Sequence, residues 1–315
     1  METVTLVQSP SLLNSNLCAS DKYLGYISNV SPAPKVVLLD KKTLLDSTGP
    51  NLTEGRYKDE LPILHINFVS LGNSWFLVLG LENSLQVWNE PGSLLIAHIN
   101  RDDLRLPPSA SVSFHCSTKL GENGIVGGAS IGSLHFLRLR NESNPAFDKE
   151  EPTQPQHSAP ITALTSIGSM VVAGDAIGAV GFWNKMERWT ATLLPACGVP
   201  ITCCVRMDKL VCFGLAFGQI RVYSVLTQKI VFEVGAHARG VTALAAHAST
   251  PSLISVGEDC CVNVWTVQPE SLNLLSSRQL TNCVLTGVAL YKAGAAVTSY
   301  DRLRLYAFND LSARN

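Results

Sequence analysis

The chain repeats one pattern of apolar and polar positions. A short apolar run leads into a turn, then a second run that often ends in Gly or Asp, a turn with Gly, and a third run closing on an aromatic residue. The clearest copies close, at spacings of 40, 42 and 41 residues, on Trp183, Tyr223, Trp265 and Tyr306. Looser copies close on Trp88 and Leu137, and an irregular first copy lies within residues 18–45.

Each unit is predicted to consist of short β-strands. Apolar and polar residues alternate in QIRVYSV at residues 219–225 and in VNVWTV at residues 262–267, which is the period of a strand and not of a helix. A repeat of about 40 to 45 residues with four short strands is typical of one β-propeller blade. Six units and the irregular first one predict an all-β, seven-bladed β-propeller, with residues 1–315 as a single domain.

The N-terminal segment is predicted to complete the last blade. Only nine residues follow Tyr306, which are too few for a turn and a further strand. Residues 3–7, Thr-Val-Thr-Leu-Val, have the composition of a strand and no partner in their own unit. We therefore expect this segment to form the outer strand of the last blade and to close the ring.

One long stretch, residues 141–156, interrupts the repeat. It is rich in Pro and acidic residues, a composition typical of loops. We expect a loop between the third and fourth blades. The sequence leaves open whether it binds a partner or is a solvated insertion.

Composition narrows the function classes. Hydrophobic residues make up 46% of the chain and charged residues 16%, with a formal net charge of -1, so a large core is expected. Lys and Arg are scattered, which argues against binding to nucleic acid or to a membrane surface. The N-terminus lacks a basic region followed by an apolar run, and no run of 18 apolar residues occurs. A soluble, cytoplasmic protein is therefore expected.

The cysteines indicate neither disulfides nor a metal site. Their number, nine, is odd and no CxxC spacing occurs, so we expect reduced and mostly buried thiols. The sequence predicts no metal and no cofactor.

The strongest motif runs from Gly235 to Thr266. It contains GAHARGVTAL followed by LISVGEDCCVNVWT and closely resembles the WD-repeat family. His237, Ser255, Asp259 and Trp265 stand at the positions where that family has its His, hydroxyl, Asp and Trp. The resemblance implies that these four side chains form a structural, hydrogen-bonded chain within the blade. A neutral imidazole can bond to both a carboxylate and a hydroxyl, and an indole N–H can only donate.

Other blades depart from this motif. Trp88 and Trp183 are followed by Asn, and Phe217 stands six residues before Tyr223. His157 begins a similar motif before the fourth blade, but Ile177 stands where its aspartate partner is expected. Only one blade is predicted to carry the whole network. Residues 198–266 resemble one particular member of the family, which implies a cytoplasmic, adaptor-like protein with a link to cilia.

We expect a non-catalytic scaffold that binds other proteins, as part of a multiprotein complex, through loops on one face. Candidate contact residues in the predicted rim turns are Glu82, Asn83, Phe217, Arg239, Glu258, Tyr300 and Asp301. A structural role in a cilium or flagellum is the alternative.

Two further classes are disfavoured. A propeller enzyme would need a catalytic or metal-binding constellation, whereas the nucleophile elbow GxSxG is absent and His65, His98, His115, His135 and His247 are expected in separate blades without ligand spacing. Family members that act as substrate receptors of ubiquitin ligases carry an Arg two residues after the Trp-Asp pair. This chain has Gln268 at that position after Trp265 and Met186 after Trp183, so this role is disfavoured.

Overall fold

The computed structural model describes residues 1–30, 34–47, 62–104, 110–185, 188–247, 250–280, 282–300 and 302–308. These residues form 28 β-strands and no helix, hence no helix able to span a bilayer among them. The strands pair into seven antiparallel sheets of four. The seven-bladed β-propeller predicted from the repeat is confirmed.

In blades 1 to 6 the four strands follow one another along the chain. Blade 1 contains β2 (Cys18–Ala19), β3 (Tyr23–Ser28), β4 (Lys35–Asp40) and β5 (Asp46–Ser47). Blade 2 contains β6 (Ile63–Leu71), β7 (Ser74–Leu81), β8 (Ser84–Asn89) and β9 (Leu95–Ile99). Blade 3 contains β10 (Phe114–Leu120), β11 (Gly124–Ala129), β12 (Leu134–Asn141) and β13 (Ala146–Lys149).

The second half of the ring has the same layout. Blade 4 contains β14 (Ile161–Ile167), β15 (Met170–Asp175), β16 (Val180–Lys185) and β17 (Trp189–Leu194). Blade 5 contains β18 (Ile201–Met207), β19 (Leu210–Leu215), β20 (Gln219–Ser224) and β21 (Lys229–Gly235). Blade 6 contains β22 (Val241–Ala246), β23 (Ser252–Gly257), β24 (Cys261–Gln268) and β25 (Ser271–Gln279). Blade 7 contains β26 (Leu285–Tyr291), β27 (Gly294–Ser299), β28 (Arg304–Phe308) and, from the N-terminus, β1 (Glu2–Thr5).

The core lies between the blades. Buried apolar side chains form seven clusters, one at each interface between neighbouring blades. Each blade thus buries its two faces against its neighbours, which explains the alternating pattern. Burying one large apolar side chain contributes about 1.5–3 kcal/mol, so these interfaces dominate the stability of the ring.

The ring is closed by the N-terminal strand, as predicted. Strand β1 pairs antiparallel with β28, with Thr3 opposite Tyr306 and Val4 opposite Leu305. Its bounds are Glu2–Thr5 and not residues 3–7, although the Leu6 N–H still donates to the Leu303 carbonyl at 2.9 Å. Because β1 is the first segment of the chain, this pairing ties blade 7 to the start of blade 1.

Asn16 is a second part of this closure. Its side chain is fully buried and bonds to both backbone groups of Ile27, at 2.7 Å to the N–H and 2.9 Å to the carbonyl. Its backbone N–H donates to Thr286 of blade 7 at 2.9 Å. One residue therefore connects the last blade to the first through buried hydrogen bonds.

The prediction that residues 141–156 form a loop is wrong in part. Residues 146–149 form β13, the outer strand of blade 3, with Phe147 opposite Leu139. Phe147 packs edge-on against Phe76 of blade 2, with ring centroids 5.3 Å apart. Beyond β13, the Thr153 hydroxyl accepts a hydrogen bond from the Leu134 N–H at 2.9 Å. The charged composition of this segment is not typical of a strand, so the sequence did not predict β13. The pairing with β12 and the contact between Phe147 and Phe76 hold the strand in place.

The strand order defines two faces. The turns between second and third strands and the connections between blades lie on one face, here called the upper face. The turns between first and second and between third and fourth strands lie on the lower face. The first strands line a central channel of about 820 Å³. Thr162 on the channel wall bonds to the Ile201 carbonyl of the next blade at 2.6 Å.

Candidate protein-binding surface

Blade 6 contains a continuous hydrogen-bonded chain. The Trp265 indole N–H donates to the Ser255 hydroxyl at 2.9 Å, and that hydroxyl lies 2.7 Å from His237 Nε2. His237 Nδ1 lies 2.9 Å from Asp259 Oδ1. A neutral imidazole with its proton on Nδ1 satisfies every member, because the serine can then donate to Nε2.

Asp259 also holds the turn in which it lies. Its Oδ2 accepts the Ala238 N–H at 2.9 Å, and its Oδ1 accepts the Cys261 N–H at 3.1 Å. The following residue, Cys260, has φ of +67°, a left-handed conformation that is rare for a residue with a side chain. The aspartate therefore joins the loop before β22 to the turn after β23.

Blade 4 contains a shorter version of this network. His157 Nδ1 lies 2.9 Å from Asp175 Oδ2, and both side chains are fully buried. The sequence analysis expected His157 to lack a carboxylate because Ile177 occupies the usual position, and this was wrong. Asp175 stands two residues earlier, at the end of β15, where blade 6 has Gly257. A Cβ on Gly257 would lie 2.8 Å from His237 Nδ1, so this position also reaches the imidazole.

Asp175 is held as a carboxylate. Burial opposes its ionisation, but His157 and the N–H groups of Ala179 and Ile177 outweigh burial and lower its pKa below the ordinary value. The backbone bonds are 2.8 Å and 3.0 Å long. As in blade 6, one carboxylate serves both the histidine and the turn.

The network in blade 4 ends at the histidine. Val171 is opposite Trp183 as Leu253 is opposite Trp265, which places Ala173 where blade 6 has its serine. Among the described residues, His157 Nε2 and Trp183 Nε1 have no hydrogen-bond partner although both atoms are buried. A Cβ on Gly181 would lie 2.6 Å and 3.0 Å from these two nitrogens. His157 Nε2 and Trp183 Nε1 therefore border the same small space. In blade 6 the Ser255 hydroxyl bonds to both equivalent nitrogens, and no described residue of blade 4 supplies such a hydroxyl.

The remaining histidines lie in blades 2, 3 and 6. The expectation that they lie in separate blades is wrong, because β6 and β9 of blade 2 carry His65 and His98, and β10 and β12 of blade 3 carry His115 and His135. His65 Nε2 lies 2.9 Å from the Ser117 hydroxyl, and burial lowers the pKa of His65 to about 3. The described residues contain no group of three or more His, Cys, Asp or Glu placed to hold a metal. All nine cysteines are free and five are buried.

The described rim candidates lie on upper-face turns and connections. Phe217 is 68% exposed and Tyr300 45% exposed, and Arg239 and Glu258 are also exposed. The Glu258 N–H donates to the Gly240 carbonyl at 2.9 Å, which brings the turn after β23 against the connection that carries Arg239. Asp301 lies outside the described residues.

Glu82 and Asn83 have a structural role at the same rim. The Asn83 side-chain oxygen accepts the Val112 N–H at 2.9 Å, and the Asn83 N–H donates to the Val112 carbonyl. Glu82 forms an isolated bridge with Ser113. These contacts tie the turn of blade 2 to the start of blade 3, and both residues are only half-buried.

Two further apolar rim residues were missed by the sequence analysis. Ile131 and Ile177 occupy the turn position in blades 3 and 4 that Phe217 occupies in blade 5, and they are 38% and 40% exposed. Each precedes a glycine of positive φ, namely Gly132, Gly178 and Gly218, with φ of 79°, 86° and 90°. We call Ile131, Ile177 and Phe217 the apolar arc. The triplets SIG, AIG and AFG before each third strand were a signal that could have found it.

A closed ring of seven four-stranded blades, with a His-Ser-Asp-Trp network in one of them, defines this chain as a WD-repeat β-propeller. A sequence profile described as WDR54 matches residues 143–307. WD repeat-containing protein 54 of Mus musculus is 30% identical over 253 residues, which cover 77% of this chain and 73% of that protein. The chain therefore belongs to the WDR54 family.

Other relatives extend the comparison. WD repeat domain 54 of Rattus norvegicus is 27% identical over 300 residues, 90% of this chain and 87% of that protein. The alignment with WD repeat-containing protein 54 of Homo sapiens, at 27% identity, covers 49% of this chain and 52% of the human protein. The resemblance detected in residues 198–266 is confirmed and reaches well beyond them.

Solved structures share the fold. A chain in a crystal structure of the mitotic checkpoint complex superposes with a TM-score of 0.73 at 16% identity, over 96% of this chain and 89% of that chain. A crystal structure of RRP9 WD40 repeats superposes with a TM-score of 0.75 at 11% identity, over 96% of each chain. At these identities the likeness establishes the fold alone.

Proposed function

We propose that this protein is a non-catalytic scaffold that binds a partner protein on its upper face, as part of a multiprotein complex. The observation that carries the proposal is the apolar arc. Three successive blades present an apolar side chain at the same exposed turn position. Single exposed apolar residues are ordinary on a protein surface, but a row of them at equivalent positions on one rim is a candidate interaction surface.

The turn itself does not require these side chains. In blade 6 the same position is Asp259, whose carboxylate bonds to His237 and to two backbone N–H groups. Isoleucine and phenylalanine can form none of these bonds, and the positive φ of the next residue is supplied by glycine. Their place on the rim is better explained by contact with a partner than by the stability of the turn.

The surroundings of the arc suit an interface. Phe217 lies in the turn next to the connection that carries Arg239, since a Cβ on Gly218 would lie 2.7 Å from the Arg239 carbonyl oxygen. Aromatic residues and arginine supply most of the binding energy in protein interfaces, within a polar border. Phe217 and Arg239 are therefore the proposed anchors, with Ile131 and Ile177 extending the contact.

A variant series on the purified full chain tests this proposal, after partners have been identified by affinity purification and mass spectrometry. Phe217→Ala and Arg239→Ala should each weaken a purified partner by about 1–2 kcal/mol in calorimetric titration. The matched control is Leu94→Ala on the lower face, where Leu94 is 61% exposed. Melting temperatures should stay unchanged. The proposal fails if Leu94→Ala abolishes binding while the upper-face variants bind normally.

The site of action is proposed to be the cytoplasm, with a fixed component of a cilium or flagellum as the alternative. The odd number of cysteines without CxxC spacing supports a reducing compartment. A tagged copy in ciliated cells should be released by mild detergent. Retention on the detergent-extracted axoneme would favour the ciliary role.

A further inference from the structure

A second apolar surface lies on the lower face, between blades 5 and 6. Four turns surround it: those between β18 and β19, β20 and β21, β22 and β23, and β24 and β25. Its volume is about 1100 Å³, and its apolar walls include Met207, Leu226, Ile230, Val231, Pro251 and Val267. We call it the lower groove.

The lower groove exposes aliphatic side chains that have no neighbour to cover them. Leu226 is 73% exposed, the largest value for any large apolar residue in the described part of the chain. Ile230 is 51% and Val231 36% exposed. Neighbouring residues of a strand normally point to opposite sides, but Ile230 and Val231 are both exposed because β21 has a bulge at this point. In the bulge, Val222 is opposite Phe232 and Tyr223 is opposite Ile230. Val231 is the extra residue of this bulge.

The charges around the groove indicate what it would accept. Lys209 and Lys229 border it together with Asp208 and Glu270, and none of these four forms an ion pair with another described residue. His247 also lines the groove, and with a neutral imidazole there the border has no net charge. A strongly charged occupant would be attracted by two of the four charged side chains and repelled by the other two. Apolar contact therefore has to supply the affinity.

We infer that the lower groove binds a short segment of a partner protein that carries two or more large apolar side chains and little net charge. A second copy of this chain fits less well, because a surface made of four turns is much smaller than the roughly 800 Å² per partner of a stable interface. A small molecule fits less well too, because the groove is open along the surface and small-molecule sites enclose most of the ligand.

This inference goes beyond the proposed function, since it places a second partner on the face opposite the apolar arc. The two surfaces share no residue. One chain could then hold two proteins at once, and variants of one surface should leave the other unaffected.

Selection from a random phage-displayed peptide library against the immobilised full chain provides the probe. The selected peptides, synthesised with a fluorescent label, are titrated against wild type and variants by fluorescence anisotropy. Leu226→Asp and Ile230→Asp should each weaken binding about tenfold or more. Leu94→Asp is the matched control, because Leu94 is 61% exposed in the corresponding turn of blade 2. Phe217→Asp controls for the upper face.

The inference is supported if peptides rich in large apolar residues are selected and only the two groove variants weaken them. It is overturned if no such peptide is selected, or if groove variants with wild-type melting temperatures bind as tightly as wild type. It is also overturned if light scattering finds a dimer of the full chain that Leu226→Asp dissociates, since the occupant is then a second copy. Leu226→Ser replaces Leu226→Asp if the charged variant is unstable. Loss of peptide binding in Phe217→Asp alone would assign the peptides to the upper face and overturn the inference.

Discussion

At the scale of single residues, blades 4 and 6 each pair a buried histidine with a carboxylate, but the carboxylate stands at a different position in each blade. Each has a buried histidine whose Nδ1 lies 2.9 Å from a carboxylate oxygen. The carboxylate comes from the turn in blade 6 and from the end of the second strand in blade 4. A buried imidazole needs a partner, but the backbone geometry allows that partner to stand at either position. The serine that would complete blade 4 is missing.

Restoring this serine should stabilise the protein. In Ala173→Ser, the new hydroxyl can accept from Trp183 and donate to His157, and two satisfied buried groups should raise the free energy of unfolding by about 1 kcal/mol. Ser255→Ala in blade 6 should lower it by about 1–3 kcal/mol, because Trp265 and His237 lose their shared partner. Urea denaturation measures both.

Ala295→Ser is the matched control for this pair. Ala295 is a fully buried alanine in a second strand, within an apolar cluster, so a hydroxyl there should destabilise. If Ala173→Ser destabilises the protein equally, the two nitrogens in blade 4 do not share a site for the hydroxyl.

The buried His65 should make stability depend on pH. Burial first, and then the charge of His115, lowers its pKa from 6.5 to about 3. Below pH 6.5 the unfolded chain gains a proton that the folded protein does not, so stability is lost as the pH falls from 6.5 towards 3, by about 1.4 kcal/mol per unit. His65→Gln should flatten this slope in urea titrations between about pH 6 and pH 4. A slope in His65→Gln equal to that of the wild type would contradict this account.

At the scale of strands, the outer strand of each blade is the variable one. It is a short segment in blade 3 that the charged composition concealed, it is bulged in blades 2, 5 and 6, and it comes from the other end of the chain in blade 7. The second strands are buried along most of their length, as in β11 and β15, whereas the outer strands β17, β21 and β25 are largely exposed. The outer strand has one free edge, so packing constrains its sequence less.

Removal of the N-terminal strand should open the ring. Deletion of residues 1–5 leaves β28 with an unpaired edge, which can pair with other chains, and we expect aggregation and a lower melting temperature. The control replaces residues 2–5 with Gly and Ser, which keeps the chain length but weakens the strand, and an intermediate effect is expected. A deletion variant that stays monomeric at the wild-type melting temperature would show that β1 is not needed for closure.

At the scale of the whole molecule, stability and binding are separate properties. The seven apolar clusters lie between blades, whereas the apolar arc and the lower groove are built from turns on opposite faces. Turn residues can therefore change without disturbing the ring. This separation would let one stable frame carry the two proposed contact surfaces independently.

The sequence by itself determined the repeat and its strands, because alternation along a strand and the spacing between blades are local properties. It also placed the network of blade 6, because the spacing of its residues matches a known motif. It predicted the closing strand, because too few residues follow Tyr306 to form a fourth strand in the last blade. Ring packing decided the rest. Asp175 reaches His157 only through the geometry at the end of β15, and Phe147 is held by a ring in another blade. The lower groove joins residues 207–210, 224–231, 247, 250–251 and 267–270, which come together because neighbouring blades pack face to face.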